Sequence, residues 1–291
     1  MIDLHLHTNY SDGTDSVIEL LENAERQKIE LLSITDHDTV EAYIELQNTE
    51  IREKFKGEII TGVELKAIYN NHNIEILGYG FDVQKLKIYK YDNLQEKILE
   101  HFKKIAEKYE IIFDKDLKID EKNNNIFASF TFAKDILQIR ENISKLGELG
   151  ETPLTEDNFF RKCESNPSSV FYFDASKYIR NINEVIEDIH EAEGLAFLAH
   201  AYEYQFKNPK REIENIIKTT NIDGFECQHP IFSENQKDEI IQLCQKYNKY
   251  MSGGSDYHAK NKPAIQIGTG KNNIHIEKQF VENWIKILPK I

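Results

Sequence analysis

Apolar and polar residues alternate from the second residue onward. In residues 2–6, Leu4 and Leu6 share one face of a short extended run, and His5 and His7 share the other. The period then changes. Val17, Leu20, Leu21 and Ala24 recur at helical spacing, which predicts a helix through about residue 27 capped by Asp15 or Ser16. A second strand is expected over 30–34 and a third over 59–67. The turn Asn70-Asn71-His72-Asn73 returns the chain as a hairpin partner over 74–79. From about Val83 the strand–helix alternation stops. Charged helical patterns over 93–109 and 127–140 are separated and followed by polar, aperiodic stretches over 120–125 and 146–167. Alternation resumes near Asn181, with helices over 181–192, over 235–247 and from about 277. The strands expected there cover 195–199, 222–226, 249–253 and 265–268.

This pattern describes an α/β protein whose middle third is an inserted, mostly helical unit. A length of 291 residues accommodates one large α/β barrel or two ordinary domains. A chain with 40% hydrophobic and 30% charged residues can bury a sizeable core. A net charge of −14 argues against an extended nucleic-acid surface or an anionic-membrane binder, both of which need basic patches. It leaves room for a pocket that takes one nucleotide. Cys163, Cys227 and Cys244 show no close pairing motif, and free thiols in a reducing cytoplasm are expected. The chain opens directly on a strand, so no leader is expected, and no apolar run is long enough to span a bilayer.

The chemistry lies where the expected strands end. His5 and His7 close the first strand, and Asp12 follows on a Ser-Asp-Gly turn. His37 follows the second strand in Thr-Asp-His-Asp-Thr. Glu64 lies inside the third strand, with Glu75 on its returning partner. His200 follows the strand at 195–199, and Asp256 and His258 follow that at 249–253. A carboxylate inside a barrel strand is costly unless it is paired or metal-bound. Histidine and carboxylate donors without cysteine suit a catalytic site for Zn, Mn, Fe or Co. A carboxylate shared between ions, here Glu64, would hold them roughly 3.5–4 Å apart, as in two-metal hydrolases.

The sequence resembles the PHP (polymerase and histidinol phosphatase) family. The resemblance rests on His5-Leu6-His7 with Ser11-Asp12-Gly13, Thr35-Asp36-His37-Asp38-Thr39, Gly62-Val63-Glu64, Leu77-Gly78-Tyr79, Leu198-Ala199-His200 and Gly254-Ser255-Asp256-Tyr257-His258, in the family's order. It implies a distorted seven-fold, TIM-like β/α barrel made of residues 1–88 and 182–291, with 89–181 as a helical cap over the cleft. It implies a centre of two or three divalent ions (Mn, Fe or Zn). His5, His7, Glu64 and Asp256 would hold one ion. Glu64, His200 and position 75 would hold a second, and Asp12, His37 and His258 a third. The Thr-Asp-His-Asp-Thr motif and the size of the insertion are similar to the nucleotide-directed branch. The implied activity is hydrolysis of a small phosphomonoester: a nucleotide, a 3′,5′-bisphosphonucleotide or a short oligonucleotide. Asp256, His258 and His37 would be the catalytic, proton-handling residues. Histidinol-phosphate phosphatase and a non-enzymatic accessory module with an incomplete site remain alternatives.

Two departures matter. Glu75 stands where the family's pattern has a histidine, which should add an oxygen to the second ion's shell and favour Mn²⁺ or Fe²⁺. Ser129-Phe130-Thr131-Phe132 replaces the Arg-Pro-His segment whose arginine is expected to grip phosphate. Lys134 and Arg140, on one expected helix, are the substitute phosphate-binding candidates, and His229 is a candidate for the pocket wall. Asp36 would either orient a ligand imidazole or cap the next helix. His72, His101, His190 and His275 are expected to be solvated, and Phe171-Tyr172-Phe173 to belong to core or seam.

Overall fold

The computed structural model describes every residue except 120–126, 157, 272–273, 275 and 277. Strands β1 (Ile2–Leu6), β2 (Leu31–Ile34) and β3 (Glu58–Ile59) form a parallel three-stranded sheet. A second sheet orders β4 (Gly62–Tyr69), β5 (His72–Tyr79), β6 (Leu195–Leu198), β7 (Gly224–Gln228) and β8 (Tyr250–Gly253) in sequence order. Its first two pairings are antiparallel and its last two parallel. The sheets touch along two edges. Beyond β1, Leu6 bridges Tyr257; His7 N–H donates to Tyr257 O at 2.9 Å, and Asp256 N–H to His5 O at 2.9 Å. Beyond β2, His37 bridges Glu64, and Asp38 N–H donates to Glu64 O at 2.9 Å. The mixed α/β class expected from the pattern is therefore present, with the ends of β1, β2, β4 and β8 drawn together.

Ten α-helices are formed by the described residues: α1 (Val17–Arg26), α2 (Glu41–Glu45), α3 (Thr49–Arg52), α4 (Leu94–Lys108), α5 (Ala128–Leu137), α6 (Arg140–Glu148), α7 (Ile182–Glu191), α8 (Pro209–Thr219), α9 (Glu234–Tyr247) and α10 (Lys278–Ile285). Three of them start on a reciprocal capping box: Ser16 with Glu19, Asn181 with Glu184, and Ser233 with Gln236. Each box satisfies backbone N–H groups that the first turn leaves orphaned.

One apolar core joins the outward face of β4 and β5 (Val63, Leu65, Ile74, Ile76) to α7, α8 and α9. Another is built almost wholly from residues 94–179, with Phe102, Phe132, Phe159 and Phe171 at its centre. Ile68 of the β4–β5 hairpin is its one member from outside that stretch. Phe171 and Phe173 belong to this core, and Tyr172 Oη donates to Asn71 O at 2.9 Å across the seam, as the aromatic run suggested.

Three expectations are corrected. The helix expected over 127–140 is two helices, because Ile139 is extended (φ −93°, ψ 113°). Asn142 Nδ2 donates to the Ile136 carbonyl (2.9 Å), an acceptor that a continuing helix would have used, and to the Ile112 carbonyl (2.7 Å) of the loop after α4. Lys134 and Arg140 therefore stand on different helices. The strand expected over 265–268 is a turn, in which Gly268 (φ +77°) and Gly270 (φ +58°) adopt left-handed conformations that no strand sustains. Helix α8, introduced by the cap Asn208 and Pro209 at its first turn, was not anticipated.

Candidate metal centre

The donors converge where the parallel strands end. His5, on β1, and His7, one residue past it, point to the same side, with ring centroids 5.1 Å apart. Glu64 lies between them, its Oε2 3.2 Å from His5 Nε2 and 3.3 Å from His7 Nε2. The same oxygen is 3.3 Å from His37 Nδ1, and Oε1 is 2.9 Å from His200 Nε2. Glu64 thus touches all four imidazoles, the position expected of a shared carboxylate. Asp256 Oδ1 is 3.6 Å from His5 Nε2 and 3.5 Å from His7 Nε2. Asp12 faces His258 at 3.1 Å and His37 at 3.5 Å.

These distances resolve into three overlapping donor groups: His5, His7 and Glu64; His7, Asp12, His37 and His258; and His37, Glu64 and Glu75. Within each group the donor atoms lie within 4.8 Å of one another, close enough to converge on one ion. Glu75 shares the inward face with Glu64, because Lys66 and Glu75 are register partners on the β4–β5 ladder. It is buried, with Oε1 3.9 Å from His37 Nδ1 and Oε2 3.4 Å from His200 Nε2. His200 lies beside Glu64 and Glu75 but joins none of the three groups.

The donor chemistry fits divalent ions. His7 Nε2 and His37 Nδ1 are buried and make no hydrogen bond among the described residues, although both face Glu64. Lone pairs in that situation suit metal ligation. Burial alone would lower the His5 imidazole, but Glu226, Glu64 and Asp256 overcome it and hold His5 well above its ordinary range. His7, also opposed by burial, is carried to about 9 by Asp256, Glu64 and Asp12. Asp12 is buried too, yet His258 and His37 hold it well below the usual carboxylate range. The cluster therefore attracts positive charge, the electrostatic condition for cation binding.

A supporting layer carries residues that the motifs did not announce. Glu226, on β7, accepts from His5 Nδ1 (2.9 Å) with one oxygen and from the His200 backbone N–H (2.7 Å) with the other. It fixes the His5 tautomer so that Nε2 faces Glu64. Among the described residues, Asp36 makes no direct contact with an imidazole and caps no helix. It accepts from Thr8 N–H (2.7 Å), Thr8 Oγ1 (2.6 Å) and Ser11 Oγ (2.6 Å), and so pins the loop that carries Asp12. Arg161, in a π-helical turn (Phe160–Glu164), reaches Glu75 Oε2 at 2.5 Å and Glu203 Oε2 at 3.2 Å. No periodicity marks Arg161, so the sequence offered no signal for it.

The other candidates divide. His229 is buried beside the cluster, its Nε2 3.3 Å from Asp256 Oδ2 and its ring centroid 5.5 Å from that of His200. Lys134 and Arg140 are exposed, and neither is joined to the cluster by any described contact. His72 bonds the Asn70 carbonyl, His101 that of Tyr172, and His190 the Asp223 carboxylate, all away from the centre. His275 lies outside the described residues.

Known proteins bear on this arrangement. The family model described as "PHP domain" matches residues 3–254, most of the chain and every proposed donor except Asp256 and His258. The chain belongs to the PHP domain family. A 5′-3′ exoribonuclease of Haemophilus influenzae is 26% identical over 272 residues, covering 93% of this chain and 93% of that protein. A 3′,5′-nucleoside bisphosphate phosphatase of Chromobacterium violaceum is 23% identical over 278 residues, covering 92% of this chain and 90% of the relative. In structure, a Bifidobacterium adolescentis protein provisionally assigned as a metal-dependent phosphoesterase matches with a TM-score of 0.65 at 21% identity. That match covers 96% of this chain and 95% of the other, and at that identity it speaks for the fold alone. The enzyme class expected from the motifs, a metal-dependent hydrolase of phosphoric esters, is upheld by these relatives. Among the described residues no helix is long and apolar enough to cross a membrane.

Proposed function

We propose that the chain hydrolyses a phosphomonoester or terminal phosphodiester of a nucleotide, a 3′,5′-bisphosphonucleotide or a short oligonucleotide. The observation that carries this reading is that two donor groups share one buried carboxylate, Glu64, and the third joins them through His7 and His37. The expected assignment is kept as the proposal: His5, His7, Glu64 and Asp256 would hold one ion, Asp12, His37 and His258 another, and Glu64, Glu75 and His200 a third. Two or three divalent ions bound there (Mn, Fe or Zn) supply Lewis acidity and a water acidic enough to attack phosphorus at neutral pH.

The chain's own groups do the rest. Asp256 turns Oδ1 toward His5 and His7 and accepts Lys262 Nζ (2.5 Å) and His229 Nε2 (3.3 Å) on Oδ2. One edge of the carboxylate thus faces the ligand imidazoles and the other accepts hydrogen bonds. Burial would raise this carboxyl, but Lys262 and His258 hold it well below the usual carboxylate range, so it would relay a proton from Lys262 or His229 to the leaving oxygen rather than carry one itself. The ring of His258 is oriented by Nδ1 against the Asp256 carbonyl (2.9 Å), which turns Nε2 toward Asp12. His37 stands between Asp12 and Glu64 and closes that side.

The two sheets are read as one distorted seven-fold barrel, and residues 89–181 as a cap over its open end. Three contacts support the cap. The Phe127 ring stands edge-on to His37 with centroids 6.5 Å apart, Lys66 Nζ lies 5.3 Å from the Phe127 centroid, and Arg161 reaches Glu75. A nucleotide-directed substrate agrees with relatives that act on RNA ends and nucleoside bisphosphates.

The test is a Mn²⁺-supplemented hydrolysis panel. It holds mononucleotides, 3′,5′-bisphosphonucleotides, 5′-phosphorylated oligoribonucleotides and histidinol phosphate. Turnover confined to the nucleotide members is expected. Preference for histidinol phosphate, or no turnover of any member by metal-loaded protein, would refute the reading.

A further inference from the structure

We infer that Arg161 stands in for a metal ion, so that the chain holds two ions tightly and a third, on the Glu75–His200 side, only weakly. The inference rests on the metal-centre reading above and adds to it the number of ions and the residue that sets it.

The resemblance to the family implies a second ion on Glu64, Glu75 and His200. At that place the structure puts a guanidinium. Arg161 Nη2 donates to Glu75 Oε2 at 2.5 Å, and that oxygen is also the one 3.4 Å from His200 Nε2. The Glu75 oxygen nearest His200 is therefore already engaged by a charge that does not titrate away, which leaves only Oε1, on the His37 side, for an ion. The guanidinium is held on three sides. Nε donates to Glu203 Oε2 at 3.2 Å, and its plane lies 5.1 Å from the Tyr204 ring centroid. Tyr204 in turn fixes Glu75: its Oη accepts the Glu75 backbone N–H at 2.8 Å and donates to the Ala199 carbonyl at 3.1 Å. One tyrosine thus places both partners of the pair.

His200 joins none of the close donor groups, and of the three groups only His37–Glu64–Glu75 includes the carboxylate that Arg161 engages; the His5–His7–Glu64 and His7–Asp12–His37–His258 groups do not include it. Lys262 also touches a proposed ligand, Asp256. Its side chain, however, is 42% exposed against 16% for Arg161, and solvent screens it. A fixed positive charge this close to an ion position lowers affinity there, while the carboxylate left by the family's missing histidine is neutralised. Because Arg161 comes from the 89–181 unit, ion content and the placement of that unit are linked.

The test counts ions rather than turnover. Purified wild type, Arg161→Met and Arg161→Lys are loaded with Mn²⁺, passed through gel filtration and analysed by plasma mass spectrometry. Affinities are measured by chelator competition, and folding is checked by circular dichroism. Wild type should retain two ions per chain. Arg161→Met should retain three, its third ion bound at least about tenfold more tightly than in wild type. Arg161→Lys, which keeps the charge, should behave as wild type. Three ions of equal affinity in wild type would overturn the inference while leaving the hydrolase reading intact. An unchanged count and unchanged affinities in folded Arg161→Met would do the same. No ion in wild type would overturn both. Where Arg161→Met does not fold, the wild-type count decides alone.

Discussion

Glu226 touches two proposed ligands at once, the His5 ring and the His200 backbone, from a strand position with no exposure. Glu226→Gln keeps the shape and removes the charge. It should weaken metal binding by about 10–100-fold in chelator competition with little change in fold. Unchanged affinity would make Glu226 a packing residue only. Glu164 shows a different effect of burial. It sits in the insertion core beside Ser129, and burial pushes its carboxyl to about 7, only partly offset by the Ser129 hydroxyl. A carboxyl raised on folding favours the protonated form. Its cost is absent below its unfolded value, grows as pH rises from there to about 7, and levels off above. Glu164→Gln should therefore raise Tm at pH 8.5 by an amount worth at most about 3 kcal/mol, and leave Tm at pH 4.5 unchanged. An equal effect at both pH values would contradict that. Residues such as His5, His37 and Asp256 were legible because motif and strand end coincide. Glu226, Glu164 and Arg161 were not, because their significance comes from partners 221, 35 and 86 residues away.

At the scale of elements, the centre depends on how closely two strand ends approach. A Cβ at Gly254 would meet His5 Cβ at 2.2 Å and His5 N at 2.4 Å, so β1 would have to move. Gly254→Ala should cost roughly 1–3 kcal/mol or more and loosen metal binding together with stability. Gly147, inside α6, is the counterexample, since its nearest atom would be Thr152 Cγ2 at 3.9 Å. Gly147→Ala should stabilise by about 0.5–1 kcal/mol without altering metal affinity. Thermal melts with and without Mn²⁺ separate the two cases, and equal losses in both variants would contradict the close-approach argument. Periodicity located α1, α4, α7 and α9 because each buries a clear apolar stripe or begins on a capping residue. It joined α5 to α6 because the break lies in the Asn142 side chain's hydrogen bonds, which sequence spacing does not encode. It turned 265–268 into a strand because the alternation of Ile265, Gln266 and Ile267 looks the same whether or not two glycines bend it.

At the scale of the molecule, residues 94–179, inside the stretch where alternation breaks, pack an apolar core of their own that takes in Ile68 of the β4–β5 hairpin. How the insertion meets the centre was not legible, since one arginine and one phenylalanine make those contacts. The central claim is that a cluster drawn from both ends of the chain binds ions and hydrolyses phosphoric esters with them. The most direct measurement is the hydrolysis rate of a 5′-phosphorylated oligoribonucleotide by chelator-stripped protein as Mn²⁺ is returned, alongside folded His7→Ala. The account predicts no turnover in stripped protein, recovery as ions bind, and none at any Mn²⁺ concentration in His7→Ala. Full turnover by stripped protein, or wild-type rates in His7→Ala, would contradict it.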